Sequence, residues 1–320
     1  MINLNHLRVF YEAARSGNFT IAAGNLFITQ PAVTAQIKIF EDQCNLKLFK
    51  KKGRRLYLTD EGTTLYEYAK KIFEYEREIE DVIGEMRKLK RGILRLGTSK
   101  TYARYFMPLL ISSFREAYPH IKVYLDEGSS LDIIRSLVNL KNEVAVIAKV
   151  EDDPSVTFLP FKRDHLVLIA GPTHNLAKRK SVSVEELAKH PMIMKEVGSG
   201  TRKRVNELFS AKGLTSNVLM ETSNTEFIKQ LVQRGEGISF LVEEAVAVEI
   251  REKKLATVPV AGEAPFLDVS IAYLKDQHLS HPARAFVNTL KKMIPGEPKD
   301  QGIRKVLEEY LAKWQEGNLR

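Results

Sequence analysis

Cysteine is nearly missing from this 320-residue chain: Cys44 stands alone. No internal disulfide can form, no cysteine cluster can hold zinc, and a reducing compartment is expected. Long apolar runs are also missing. The longest are short and strand-like, well below the length of a membrane span, so no membrane partner is expected. The opening segment MINLNHLRVF meets charge at Arg8 and carries no apolar signal stretch. The histidines show no metal-ligand spacing with acidic or cysteine partners, and His278 and His281 read as surface residues. No metal site, internal repeat or low-complexity tract stands out. The expectation is a soluble cytoplasmic protein. What is present is ordinary globular material, 44% hydrophobic and 28% charged, which excludes disorder as the main state. The length suits two or three domains.

Charge is unevenly spread. Of the net +9, residues 1–58 hold nine basic against three acidic residues, and the other 262 residues carry only +3. A basic module at one end suggests a polyanionic partner, although a solvated charged face would look the same. Leu4, Leu7, Phe10 and Ala14 make the apolar face of a first helix, stopped by Ser16-Gly17-Asn18. Phe19, Ala22, Ala23 and Leu26 face a second, capped by Asn18 or Thr20. Thr29 caps a third that runs to about Gln43, with Pro31 tolerated in its first turn. Val33, Ile37 and Phe40 point inward, and Asn45 can end the helix in the left-handed conformation. Two short helices joined by a tight turn form a helix-turn-helix. Leu46–Leu58 then reads as a two-strand wing with Gly53 at its tip.

If that inward face holds, Gln30, Thr34, Gln36 and Lys38 lie outward or at the edges of the third helix. Glutamine can pair with adenine, threonine can touch bases or phosphate, and lysine can reach guanine or phosphate. Lys50, Lys51, Lys52, Arg54 and Arg55 on the wing are spaced to neutralise phosphates. A solvated polar face is the competing reading of the helix. Asp60–Arg91 reads as one long helix. Leu65, Ile72, Ile79 and Met86 recur every seven residues, each followed at three by Tyr68, Tyr75, Val82 and Leu89. That heptad predicts a coiled coil with a second chain, the alternative being a helix packed on its own domain.

From Gly92 strands and helices alternate, which predicts βαβ units and a parallel sheet. Strands are predicted at Ile93–Gly97, Ile121–Leu125, Val144–Ala148, Leu166–Ala170 and Val269–Tyr273. Shorter strand-like pieces fall at Met192–Met194, Val218–Met220 and Ile238–Leu241. Helices are predicted at Ala103–Ala117, Ser130–Leu140, Ser183–Lys189, Thr201–Ala211, Thr225–Arg234, Glu243–Glu252 and Pro282–Met293. The run Pro295–Pro298 breaks the chain before a last helix, Gly302–Trp314. Gly97-Thr98-Ser99-Lys100-Thr101 follows a strand and opens a helix, which makes an anion site of backbone N–H groups and hydroxyls. Ser129 and Ser130, Gly198–Arg202 with Ser199 and Thr201, and Ser223-Asn224-Thr225 open other helices similarly, and Lys149 ends an apolar strand. Plain N-capping explains any one of these sites. Enzyme signatures are lacking: Gly198-Ser199-Gly200 has no nucleophile elbow, and the same segment is not a P-loop. No catalytic residue and no cofactor is assigned.

Residues 3–67 resemble the winged helix-turn-helix of LysR-type transcriptional regulators. The resemblance rests on Leu7, Phe10, Gly17, Phe19-Thr20, Ala22-Ala23, Leu26, Thr29-Gln30-Pro31-Ala32-Val33-Thr34, Gln36-Ile37, Glu41, Leu48-Phe49 and Arg54 through Gly62. It extends more diffusely over nearly the whole chain before the tail. It implies an α/β protein with an N-terminal winged helix-turn-helix (1–59), a linker and dimerisation helix (60–91) and a periplasmic-binding-protein-like regulatory domain (92–295). Subdomain I would take about 92–162 and 267–295, and subdomain II about 163–266. The chain would cross between them near Phe161–Asp164 and Ala264–Asp268, leaving 296–320 as a helical extension. The implied partners are a double-stranded DNA operator, the transcription machinery, a small anionic effector in the cleft, and a second copy of the chain, dimers pairing into tetramers. DNA contacts would fall on Gln30, Pro31 and Thr34, and effector contacts on the segment around Thr98, Ser99 and Thr101. The chain departs from the family where Ala35 and Ile39 replace usually basic residues and Asn45 replaces a glycine. The alternative from another class is a small-molecule-binding or catalytic α/β protein whose N-terminal helices only dimerise.

Overall fold

Capping chemistry sets the first helices in the computed structural model, which describes residues 2–52, 55–262 and 265–293. The chain divides into two units, Met1–Glu85 and Met86–Arg320. In the first, α1 (Leu4–Ser16) starts at Asn3 and stops at Gly17, whose φ of 60° is left-handed. The side chain of Asn18 accepts from two backbone N–H groups to open α2 (Phe19–Asn25). Thr29 caps α3 (Gln30–Cys44), and Asn45 ends it at φ 51°. Leu7, Phe10, Ala22, Val33, Ile37 and Phe40 are buried together, whereas Leu4, expected on the inner face of α1, is exposed; Tyr11 and Ala13 are buried on that helix.

The wing is an antiparallel pair, β1 (Phe49–Lys52) and β2 (Arg55–Leu58). Gly53 and Arg54 of its expected tip lie outside the described residues, as do the side chains of Lys51, Lys52 and Arg55. Phe49 joins the wing to the helices through ring contacts with Phe10 and Phe19. Buried Glu41 accepts from the backbone N–H groups of Leu48 and Phe49 and pairs with Lys47 at 2.8 Å. Burial opposes the charge on Glu41, but Lys47 and the two N–H groups outweigh it and hold the carboxyl below its usual range. Helix α4 (Asp60–Arg87) meets this unit at Gly62, where a β-carbon would overlap the Leu48 carbonyl. Ala69 and Phe73 on α4 are buried, Tyr66 stacks on Tyr11, and Arg8 pairs with Glu76. The heptad stripe is only in part a separate face: Leu65 packs on the core of its own unit, the helix ends at Arg87 rather than Arg91, and Leu89 lies beyond it at φ 56°, packed on the core of the second unit. Tyr68, Ile72, Tyr75, Ile79 and Met86 are exposed, and Ile83 joins them.

The second unit has two lobes. Lobe I has β3 (Gly92–Ser99) parallel to both β4 (Ile121–Gly128) and β5 (Val144–Ala148). Strand β11 (Phe266–Leu274) then pairs antiparallel with β5 and with β6 (Val156–Ala170). The sheet is therefore mixed rather than parallel. Strand β6 is 15 residues long and begins at Val156, ahead of the strand expected at Leu166–Ala170. Pro160 reads as a breaker, but it sits at a register irregularity, where a missing N–H is tolerated. The expected helix Ala103–Ala117 is two, α5 (Lys100–Tyr105) and α6 (Met107–Ala117). Pro108 lacks an N–H and would clash with the carbonyl of Arg104, so the helix restarts around it. Helix α7 (Ser130–Val138) packs on β3 and β5.

Lobe II uses the second half of β6, which pairs antiparallel with β9 (Ser239–Val242) and with β10 (Ala256–Val258), a strand too short to show in the pattern. β7 (Met192–Lys195) runs parallel to β8 (Val218–Thr222) and reaches β9 through a bridge from Met192 to Ile238. Helices α8 (Val184–Leu187), α9 (Gly200–Ser210), α10 (Thr225–Gln233) and α11 (Glu243–Arg251) cover it, and α12 (His281–Lys291) returns to lobe I. Where the chain passes between lobes, Lys162–His165 pairs with Phe266–Val269. The expected second crossing begins at Ala264, outside the described residues, as does the tail from Pro295 onward.

Candidate DNA-reading helix and effector cleft

The reading helix keeps its polar groups outside because its core side is apolar. Val33, Ile37 and Phe40 are at most 4% exposed, while Gln30, Pro31, Thr34 and Lys38 are exposed. Gln36 is half-buried at the flank, since the helix turns it toward the core edge. Thr29 is exposed, with its hydroxyl accepting from the Ala32 N–H. Gln30 Nε2 donates to Thr34 Oγ1 at 2.8 Å. That bond orients the amide and leaves one N–H and the carbonyl oxygen free, the donor and acceptor pair that adenine requires. Lys50 is exposed on the wing, opposite Tyr57.

The cleft of the second unit collects helix starts from both lobes. Ser99, Lys100 and Thr101 at α5 and Ser129 and Ser130 at α7 face Lys195, Glu196, Ser199 and Thr201 of lobe II around about 330 Å³ of empty space, its mouth included. Only about 20 Å³ of it is open within, room for roughly one water, so the lobes are closed on each other in this state. Ser99 and Ser129 accept from backbone N–H groups as caps, and Ser129 also donates to Asp132. Ser199 makes no cap bond.

Three expected effector residues stand elsewhere. Thr98 is fully buried, and its hydroxyl donates to the Val146 carbonyl at 2.7 Å. Lys149 reaches out to Asp152 at 2.5 Å and lies over the Phe158 ring. Asn224 is exposed, its oxygen capping α10. Thr98 and Lys149 are corrections, their side chains spent on the Val146 carbonyl and on Asp152, while Asn224 lines a separate outer opening beside Lys100 and Ser223.

Sequence reasoning missed Lys195. It is only 4% exposed, and Nζ donates to the Ser223 carbonyl at 2.5 Å and pairs with Glu196 at 3.4 Å. Burial lowers its pKa against the pull of Glu196, and Lys100 lowers it further. Its place at the end of an apolar strand was a usable signal, the one that singled out Lys149 instead. Buried Tyr102 also lines the cleft, with no hydrogen-bond partner for its hydroxyl among the described residues.

Polar contacts close the lobes on each other. Lys100 Nζ donates to Ser223 Oγ at 2.7 Å, and the hydroxyls of Thr101 and Thr225 meet at 3.3 Å. The Tyr105 hydroxyl donates to Glu226, which also pairs with Arg104 at 3.3 Å. Burial and that carboxylate push the Tyr105 pKa up to about 12. Within lobe II Lys229 pairs with Glu226 and Glu249 at 2.9 and 2.7 Å, and its Nζ donates across to the Tyr105 hydroxyl at 3.2 Å. On the opposite side Leu131 N–H donates to the Gly198 carbonyl. Gly198 has φ 83°, and a β-carbon there would sit 2.8 Å from Ser129 Oγ.

A winged reading helix in one unit and a two-lobed cleft in the other define the class, a DNA-binding regulator with an effector-binding domain. Residues 4–63 match the model of the bacterial regulatory helix-turn-helix protein, lysR family, and residues 87–295 match the LysR substrate binding domain. The chain belongs to the LysR family of transcriptional regulators. It is 37% identical over 287 residues to the HTH-type transcriptional activator CmpR of Synechocystis sp., covering 90% of this chain and 94% of that one. It is 31% identical over 285 residues to the RuBisCO operon transcriptional regulator of Allochromatium vinosum, covering 89% and 94%. In fold it resembles full-length CbnR complexed with its target DNA, with a TM-score of 0.62 and 20% identity over 91% of this chain and 99% of that one.

Proposed function

We propose that the cleft takes a small anionic effector and that its occupancy changes the spacing of DNA-binding modules in a self-associated assembly. The observation that carries this reading is Lys195, a cation nearly removed from water that lines the cleft opposite the α5 and α7 starts. Lys195 pairs with Glu196 at 3.4 Å in this state, and an anionic effector would take that carboxylate's place beside the buried ammonium, where helix N-termini favour the same charge. Ser99, Lys100, Thr101, Ser130, Ser199 and Thr201 supply the remaining groups in this reading. A ligand can shift the lobes only by binding one arrangement better than another. The Lys100–Ser223 and Thr101–Thr225 contacts are the ones it would exchange.

On the DNA side, Gln30, Pro31, Thr34 and Lys38 serve as base or groove contacts and Lys50 with the basic wing as phosphate contacts. Helix α4 dimerises through Tyr68, Ile72, Tyr75 and Ile79, and dimers pair into tetramers. Their exposure along one face supports a second copy as the covering surface. The protein acts in the cytoplasm without catalysis. No described helix is long and apolar enough to cross a membrane.

The test is a thermal-shift screen of the full chain against small carboxylates and phosphate esters, with the neutral alcohol of each as control. An anion raises the melting temperature, its neutral counterpart does not, and Lys195→Met abolishes the shift. Stabilisation by the neutral compounds alone would overturn the reading.

A further inference from the structure

We infer that Phe27 is a DNA contact whose ring seats against a thymine 5-methyl group in the major groove, beside the start of α3. The inference rests on the DNA binding of the family. Phe27 is 95% exposed and has φ 53°. Ile28 N–H donates to the Ala23 carbonyl at 3.0 Å, which makes Phe27 the left-handed residue that closes α2, a position where glycine is usual and asparagine next. The ring thus bears two costs, an apolar surface left in water and a β-carbon in a left-handed backbone. Nothing among the described residues of its own unit repays either.

Its neighbours point the same way. Ile28, Pro31 and Ile39 are exposed with it along the outer side of the turn and α3, and Ala35 lies between them. Beside Gln30, Thr34 and Lys38 this surface is apolar. The thymine methyl is the apolar group that base pairs present in the major groove, while phosphates and the other base edges are polar. Phe27 stands three residues before Gln30, within reach of whatever the first turn of α3 contacts.

The experiment uses full-length protein and a duplex selected from a random pool by the wild-type chain, synthesised with either thymidine or deoxyuridine. F27N relieves the backbone and melts at or above the wild-type temperature, and F27G serves if F27N does not fold. F27N binds the thymidine duplex about tenfold more weakly, the scale of one lost apolar contact. The slope of affinity against salt is unchanged, because no phosphate contact is lost. Deoxyuridine weakens the wild type by a similar factor and F27N no further. Wild-type affinity in F27N overturns the inference, and if transcription is then lost the ring belongs to a protein surface. A deoxyuridine penalty equal in both proteins overturns it too.

Discussion

The reading helix and the cleft are built from the same parts, helix starts capped by a hydroxyl, yet they are supported in opposite ways. Apolar packing holds the helix from beneath: Val33, Ile37 and Phe40 lie under it, and Leu48 anchors the wing beside it. The cleft is held across its own opening by exchangeable polar contacts, from Lys100–Ser223 to Tyr105–Glu226. A surface that must meet a rigid duplex benefits from staying in place. A site whose occupancy must move two lobes benefits from contacts that a ligand's own polar groups can replace.

The sharpest way to break that contrast is Lys229→Met. It strands the Glu249 carboxylate, while Glu226 keeps Tyr105 and Arg104, and breaking such a buried pair costs about 3 kcal/mol. Melting of the regulatory unit should fall while DNA affinity is kept; an unchanged melt would mean that this cluster of charges beside the cleft does not support the unit. Gly62→Ala tests the opposite support. The added methyl overlaps the Leu48 carbonyl, and overpacking of this kind costs about 2 kcal/mol. The DNA-binding unit should melt roughly 10 °C lower, since each kcal/mol moves a domain of this size by about 4–8 °C.

A smaller effect is expected from Thr34→Val. Loss of the bond that orients Gln30 should weaken binding to a selected duplex about fivefold, the value of one hydrogen bond, and leave random DNA unaffected. Equal losses on both would remove the pair as base readers. The smallest is a pH effect. The folded Glu41 carboxyl titrates below its unfolded value, so its contribution is complete above about pH 4.3 and is lost as pH falls toward the folded value. Melts of the DNA-binding unit from pH 5 to 3 should drop more steeply in wild type than in Glu41→Gln.

The reading helix was legible because its determinants are contiguous. Thr29, Pro31, the inward triplet and Asn45 lie within seventeen residues, and each acts on its immediate neighbours. The cleft was legible only as a set of helix starts. Whether a hydroxyl is free depends on partners far along the chain: Thr98 is satisfied by Val146, while Ser199 stays unspent. Lys149 and Lys195 both end apolar strands, and only pleat direction and lobe closure decide which enters the cleft.

Local chemistry written in the chain therefore determined the caps, the apolar faces, the basic wing and the alternation of the second unit. Tertiary structure alone decided that β6 and β11 run antiparallel between lobes, that α4 presents one face to its own unit and another outward, and which polar groups face the cleft. The reason is range. A cap or a face is fixed within a few residues, whereas satisfying a buried polar group is settled by whichever strand or helix the fold brings beside it.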